Sequence, residues 1–226
     1  MNGQGETITR EVEMDPLKTI WVGVVKQFGK PTGMLGALAG LIMSRRQSNR
    51  QRNDWALGLL DIRPADRVLE LGFGPGLGIR GAAERAPLGE VFGVDHSAVM
   101  LKQASKRNAA EIAAGRVKLH LASVDAFPDF PAGFDKIFGV NVHTFWNDAA
   151  AVIAELLELL RPGGTLALTF QPRNPGATDA DTAQAADKLT DLFARCGFEQ
   201  VRAEVLELTP SAVCVLGSRG DQRRLV

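Results

Sequence analysis

Glu70-Leu71-Gly72-Phe73-Gly74-Pro75-Gly76-Leu77-Gly78 closes a short apolar run, residues 68–71, and opens Leu77–Arg85, a stretch with helical spacing. Glycines at 72, 74 and 76 let the backbone turn sharply and let a ligand approach the main chain. The helix that follows turns its first N–H groups toward the same place, a ready anion site. A strand, a glycine turn and a helix in that order put this site at the carboxyl edge of an open α/β sheet, where such folds bind ligands.

The pattern continues outward. Apolar runs at residues 68–71, 91–94, Val117–Leu121, 136–140 and 165–170 alternate with helical stretches at Leu77–Arg85, 98–113 and 148–160. Strands and helices in alternation predict right-handed crossovers and a parallel sheet. A loop at 171–176, a helix over 181–196 with Gly197 as its stop, and runs at 200–208 and 212–216 follow. The last two runs are too close for a crossover helix, so they are expected to form an antiparallel hairpin. The expectation is an α/β, Rossmann-like, doubly wound, seven-stranded and mostly parallel sheet with an antiparallel terminal strand, plus an N-terminal helical lid. The chain divides into residues 1–60, the lid and acceptor-binding segment, and residues 61–226, the ligand-binding domain.

Composition narrows the class. The 226 residues are 45% hydrophobic and 23% charged, with 24 Gly and 11 Pro, which excludes collagen-like, disordered and disulfide-scaffold chains. Lys+Arg and Asp+Glu are 26 each, so no overall field attracts nucleic acid, and none is expected as a partner. Cys196 and Cys214 make neither a zinc cluster nor a disulfide framework and suit a reducing compartment. No His, Cys or carboxylate group stands at metal-ligand spacing, so no metal is expected. Residues 1–15 are polar and acidic, unlike a secretory peptide, and read as a disordered lead. The longest weakly polar run, residues 33–44, falls short of the roughly 20 apolar residues a membrane span needs. A cytoplasmic protein, monomer or homodimer, is the expectation.

The glycine loop suits two cofactors. A dinucleotide site takes G-x-G-x-x-G straight after the strand. Counted from Gly72 the sixth residue is Leu77, and the match at Gly76, Gly78 and Gly81 starts too far into the helix. Asp95, ending the second strand, is placed to accept from both ribose hydroxyls or to cap the following helix, where Ser97 is itself a good N-cap. Asp95 alone does not separate the two cofactors.

The three-glycine G-x-G-x-G after Glu70 resembles the first motif of the class I S-adenosylmethionine-dependent methyltransferases. Residues 121–128 look like that family's segment after the third strand, residues 134–141 its fourth-strand motif, and residues 160–165 the turn into its fifth strand. The resemblance covers roughly residues 64–216. It implies S-adenosylmethionine as cofactor, held by Glu70, Gly72, Gly74, Gly76, Asp95, His96, Met100, Ser123, Val124 and Asn141. The family's acidic residue for the adenine amino group is replaced here by Ser123, with Asp125 displaced by two; Ser123 with the Val124 N–H is the preferred pair. Met100 either covers the adenine face or is a core methionine.

In this family the residues after the fourth strand lie beside the methyl group. Here they include His143, which either serves as general base or packs. The resemblance implies in-line methyl transfer to a small-molecule acceptor. The segment 17–60, rich in Trp, Phe, Met and Leu with glycines at 33, 36 and 40, is expected to close over an apolar or aromatic acceptor. Two alternatives stand beside it. Residues 34–43 with Arg45, Arg46, Arg50 and Arg52 suit a peripheral lipid contact and phospholipid N-methylation. A nucleoside-binding module without chemistry is the other. The basic run itself reads as a solvated helix face.

Overall fold

The computed structural model describes residues 47–124, 126–130 and 132–221. Residues 1–15, expected to be a disordered lead, and most of the expected lid lie outside the described residues, as does Asp125.

The chain enters through α1 (Gln47–Leu59). Then come β1 (Arg67–Leu71), α2 (Leu77–Arg85), β2 (Glu90–Asp95), α3 (Ala98–Arg107), α4 (Ala109–Ala113) and β3 (Val117–Leu121). β4 (Phe134–Val140), a 3-10 turn at His143–Phe145, α5 (Ala149–Leu159), β5 (Leu160–Phe170), α6 (Asp179–Arg195), β6 (Glu199–Leu206) and β7 (Ala212–Ser218) complete it. The seven strands lie in the order β3-β2-β1-β4-β5-β7-β6, with β7 antiparallel to both neighbours and the other pairs parallel. This is the sheet expected, with its terminal hairpin. The switch point of the strand order lies between β1 and β4, so the carboxyl edges of those two strands frame the crevice.

The sheet is buried on both faces. Along β1, Val68 points to one core and Leu69 to the other. One core joins Leu69, Leu71, Ile137 and Leu168 to Ile153, Leu156 and Phe193 of α5 and α6. The other joins Val68, Phe138 and Ala167 to Ile79, Ala82, Met100 and Ala104 of α2 and α3. Leu57 of α1 and Leu60 just after it belong to that second core, so α1 is one of the sheet's covering helices although it precedes residue 60. Each fully buried Leu, Ile or Phe contributes roughly 1.5–3 kcal/mol.

Two elements differ from expectation. The single helix foreseen over 98–113 is broken at Asn108, which is wholly buried. Its amide donates to Ala104 O at 2.9 Å and to Gly76 O at 3.2 Å. A side chain that bonds the backbone of its own previous turn competes with helix continuation, and here it also ties α3 to the glycine loop. β5 begins five residues earlier than its apolar run, because Leu160 pairs with Phe134 across an irregularity in the β4–β5 ladder.

Candidate functional site

The three loop glycines do three different things. Gly72 donates to Val94 O at 2.8 Å, and a Cβ there would run into Val142. Gly76 has φ +79°, and a Cβ would stand 2.7 Å from Asn108 Nδ2 and 2.8 Å from Ala104 Cβ. Its bareness therefore serves the packing of α3, where the sequence pattern suggested ligand approach. Gly74, at φ +50°, has nothing nearer than Gly72 O at 4.0 Å. It is the glycine of the loop that faces open space, as close approach of a ligand requires. Gly78 was not among the expected site residues, yet a Cβ there would meet the Glu70 carboxylate.

Glu70 is buried beneath this loop, 3% exposed. Burial pushes its carboxyl well above the ordinary range; the Ile79 N–H pulls it back and nearby Asp95 adds to the rise. Asp95 accepts from Gly74 N and from Ser97 N, each at 2.8 Å. Burial raises its pKa too, against those two N–H bonds. The carboxylate thus latches the glycine loop to the start of α3 while keeping lone pairs on both oxygens. Ser97 caps α3 by accepting from Met100 N at 3.4 Å. Met100 is 1% exposed and sits in the second core; His96 beside Asp95 is exposed. Ser123 and Val124 are half-buried in the turn after β3, next to the carboxyl end of β2, where Ala122 N donates to Asp95 O at 3.1 Å.

The turn after β4 forms the opposite wall. Asn141 has φ +57°, donates its backbone N–H to Thr169 O at 2.7 Å and accepts from Gln171 N on Oδ1 at 2.8 Å. Its Nδ2 is buried with no partner among the described residues. His143 follows in the 3-10 turn, 5.3 Å from the Phe170 ring and 6.3 Å from the Trp146 ring, both edge-on. Burial lowers its pKa to about 4, so the imidazole is neutral at pH 7. Its Nδ1 is buried and lacks a partner among the described residues. His143 opens onto a cavity of about 390 Å³ whose walls include Ala149, Phe170, Pro172, Leu189 and Leu192, with Lys188 among its polar lining. Thr144, Asn174 and, from α6, Asp181, Gln184 and Ala185 complete it.

A third element was missed. Arg52, expected in a solvated basic run, is 1% exposed. Its Nη1 donates to Gln171 Oε1 and its Nη2 to Asn49 Oδ1 at 3.1 Å. Gln171 in turn donates to Pro210 O at 2.5 Å. The expectation fails at Arg52 because a guanidinium with five donors can satisfy buried amide oxygens that the local pattern does not reveal. Arg52 and Gln171 lie 119 residues apart, and no spacing rule connects them. Among the described residues no group of three His, Cys, Asp or Glu could hold a metal ion. No helix among them is long and apolar enough to cross a membrane.

Residues 68–164 match the model of a methyltransferase domain family. An uncharacterized methyltransferase, YdaC, from Bacillus subtilis (strain 168) is 33% identical over 184 residues, which span 80% of this chain and 98% of that protein. Nocamycin O-methyltransferase from Saccharothrix syringae is 39% identical over 115 residues, spanning 50% of this chain but only 40% of its own length. A SAM dependent methyltransferase from Aquifex aeolicus has the same fold at a TM-score of 0.64, with 15% identity over 80% of this chain and 98% of that one.

Proposed function

This chain belongs to the class I S-adenosylmethionine-dependent methyltransferases, and from that premise we propose that it methylates a hydroxyl of a small apolar or aromatic acceptor held beside His143, in the cytoplasm. The cavity carries the proposal: Phe170, Leu189 and Leu192 beside a neutral imidazole whose buried Nδ1 has no partner among the described residues, at the carboxyl edge of β4 and β5.

The residues around the crevice fit the cofactor. Gly74 fronts open space, Asp95 keeps lone pairs at the end of β2, and Asn141 offers a buried donor with no partner among the described residues. On this reading the loop 72–76 and Asp95 hold the ribose and the adjoining chain, with His96 at the rim. Ser123 and the Val124 N–H face the adenine, with Met100 behind them, and Asn141 meets the amino-acid end. Glu70 shapes the loop from below rather than touching ligand, since it is 3% exposed.

S-adenosylmethionine, when bound, supplies a methyl carbon on a sulfonium sulfur. The chain's share is alignment, exclusion of water and care of one proton. His143 accepts the acceptor's proton on Nδ1. With a pKa of about 4 it is a weak base, yet a hydroxyl is the acceptor that needs one, since a neutral amine attacks without losing a proton. A hydroxyl oxygen that gains a methyl becomes strongly acidic and surrenders its proton even to a weak base. A methylated amine, with a pKa on the order of 10, keeps it.

The lid reading gains support from Arg52. Its burial against Gln171 brings α1, the first described helix, to the edge of the crevice. The phospholipid reading loses the same arginine, which is not available to a lipid surface.

Transfer from labelled cofactor to a panel of matched phenols, enols and amines tests the proposal. Phenol or enol methylation at ten times the amine rate or more is expected. Equal or faster methylation of amines would overturn the hydroxyl assignment.

A further inference from the structure

Asn141 is one of few non-glycine residues here with positive φ, and its side chain is held from outside its own loop. The Gln171 N–H meets its Oδ1 at 2.8 Å. Only an amide oxygen can accept that bond, so the amide cannot flip, and Nδ2 is left as a donor. That atom is buried and has no partner among the described residues. Gln171 is itself held at both ends of its side chain, accepting from Arg52 Nη1 and donating to Pro210 O at 2.5 Å. Gln171 also stands between Phe170 and Pro172, two walls of the acceptor cavity. Arg52, Gln171 and Pro210 all lie outside residues 68–164, the part that matches the family model.

We propose that Arg52 and Gln171 form a clamp that fixes the Asn141 amide as a hydrogen-bond donor, so that the crevice recognises a carboxylate oxygen there, that of the cofactor's amino-acid end. Arg52 is on this view a positioning residue: it touches Gln171, and Gln171 sets Asn141. The clamp joins α1 to both halves of the crevice, because the residue it holds sits between the cofactor contact and the acceptor wall. This inference rests on the cofactor reading above.

Two ligands separate the effects: S-adenosylhomocysteine, which carries the amino-acid end, and 5′-methylthioadenosine, which lacks it. Calorimetry on the full chain reads both. Asn141→Asp still accepts from Gln171 N but turns a negative oxygen to the ligand. It should weaken S-adenosylhomocysteine about 100-fold and methylthioadenosine less than threefold. Arg52→Gln should weaken the first about tenfold and leave the second within threefold, with partial recovery in Arg52→Lys. If Arg52→Gln does not melt cooperatively, Gln171→Met removes the same link at similar size and is read in its place. Equal losses for both ligands, or none for either, would overturn the clamp. A wild-type chain that fails to bind S-adenosylhomocysteine would instead remove the cofactor reading itself.

Discussion

The two walls of the crevice are built differently. The glycine loop is closed on itself: Gly72 donates to Val94, Gly74 to Asp95 and Gly76 to Phe73. Its backbone donors find partners within about 25 residues, Asn108 reaches Gly76 O from 32 residues on, and Glu70 props it from beneath. The turn after β4 is held by distant residues, Thr169 and Gln171, and through Gln171 by Arg52 and Pro210. It leaves two buried polar atoms, Asn141 Nδ2 and His143 Nδ1, with no partner among the described residues. The glycine loop's own backbone bonds are satisfied, and its unpartnered buried atoms, Glu70 Oε2 and Asn108 Oδ1, lie beneath and behind it. On the other wall the unpartnered atoms are on the turn itself, and a buried unpaired group costs about 1–3 kcal/mol.

The contrast is sharpest within the loop itself. Gly76→Val should lose both S-adenosylhomocysteine binding and several degrees of Tm, because a side chain at φ +79° would also displace Ala104 and Asn108. Gly74→Val should lose binding with a smaller fall in Tm: it carries the strain of a side chain at φ +50° but no collision, since its Cβ meets open space. Melting curves and calorimetry on the pair decide it. Equal Tm losses would erase the division of labour among the glycines.

On the other wall, His143→Ala should lower kcat by about 10²–10⁴ if the imidazole takes the proton. Its affinity for S-adenosylhomocysteine should barely move, because the opposite wall carries most of that binding. Turnover within a few-fold of wild type would leave alignment as the main source of rate.

Asp95→Ala removes the carboxylate proposed to accept from the ribose, along with its bonds to Gly74 N and Ser97 N. One charge-assisted bond to the ligand is worth roughly 1.5–3 kcal/mol, so binding should weaken between about tenfold and a few hundredfold. NADH should not bind the wild type; tight NADH binding would reverse the choice of cofactor made at the loop.

The smallest effect is on stability against pH. His143 has a folded pKa of about 4, below its unfolded value near 6.5. The unfolded chain therefore binds more protons between those values, and this group's stability, complete above about pH 6.5, is lost as pH falls toward 4. The Tm of wild type minus that of His143→Phe should shrink by a few degrees from pH 7 to pH 5. The raised Glu70 and Asp95 act in the opposite sense but are common to both proteins and cancel in the difference. A difference independent of pH would show that His143 is not buried as described.

What could be read from the chain alone were the local regularities. Apolar runs place β1 to β4 to within two residues, and the short gap before Ala212 announces the antiparallel hairpin. The glycine loop with Asp95 points to the crevice, because turn chemistry and strand ends are written in neighbouring residues; the cofactor class came from the family resemblance. Tertiary structure decided the rest. That Gly76 packs against α3 while Gly74 fronts open space was decided by Ala104 and Asn108, some thirty residues on, and the burial of Asn108 also broke the expected helix. Arg52 looked like one charge in a basic run until the fold set Gln171 against it. The cavity beside His143 joins the turn after β4 to α6, elements that meet only once the sheet is assembled. The physical reason is common to all three. A hydrogen-bond partner or a cavity wall is chosen by distance in space, and a side chain's type says what it can bond but not what will stand within 3 Å of it.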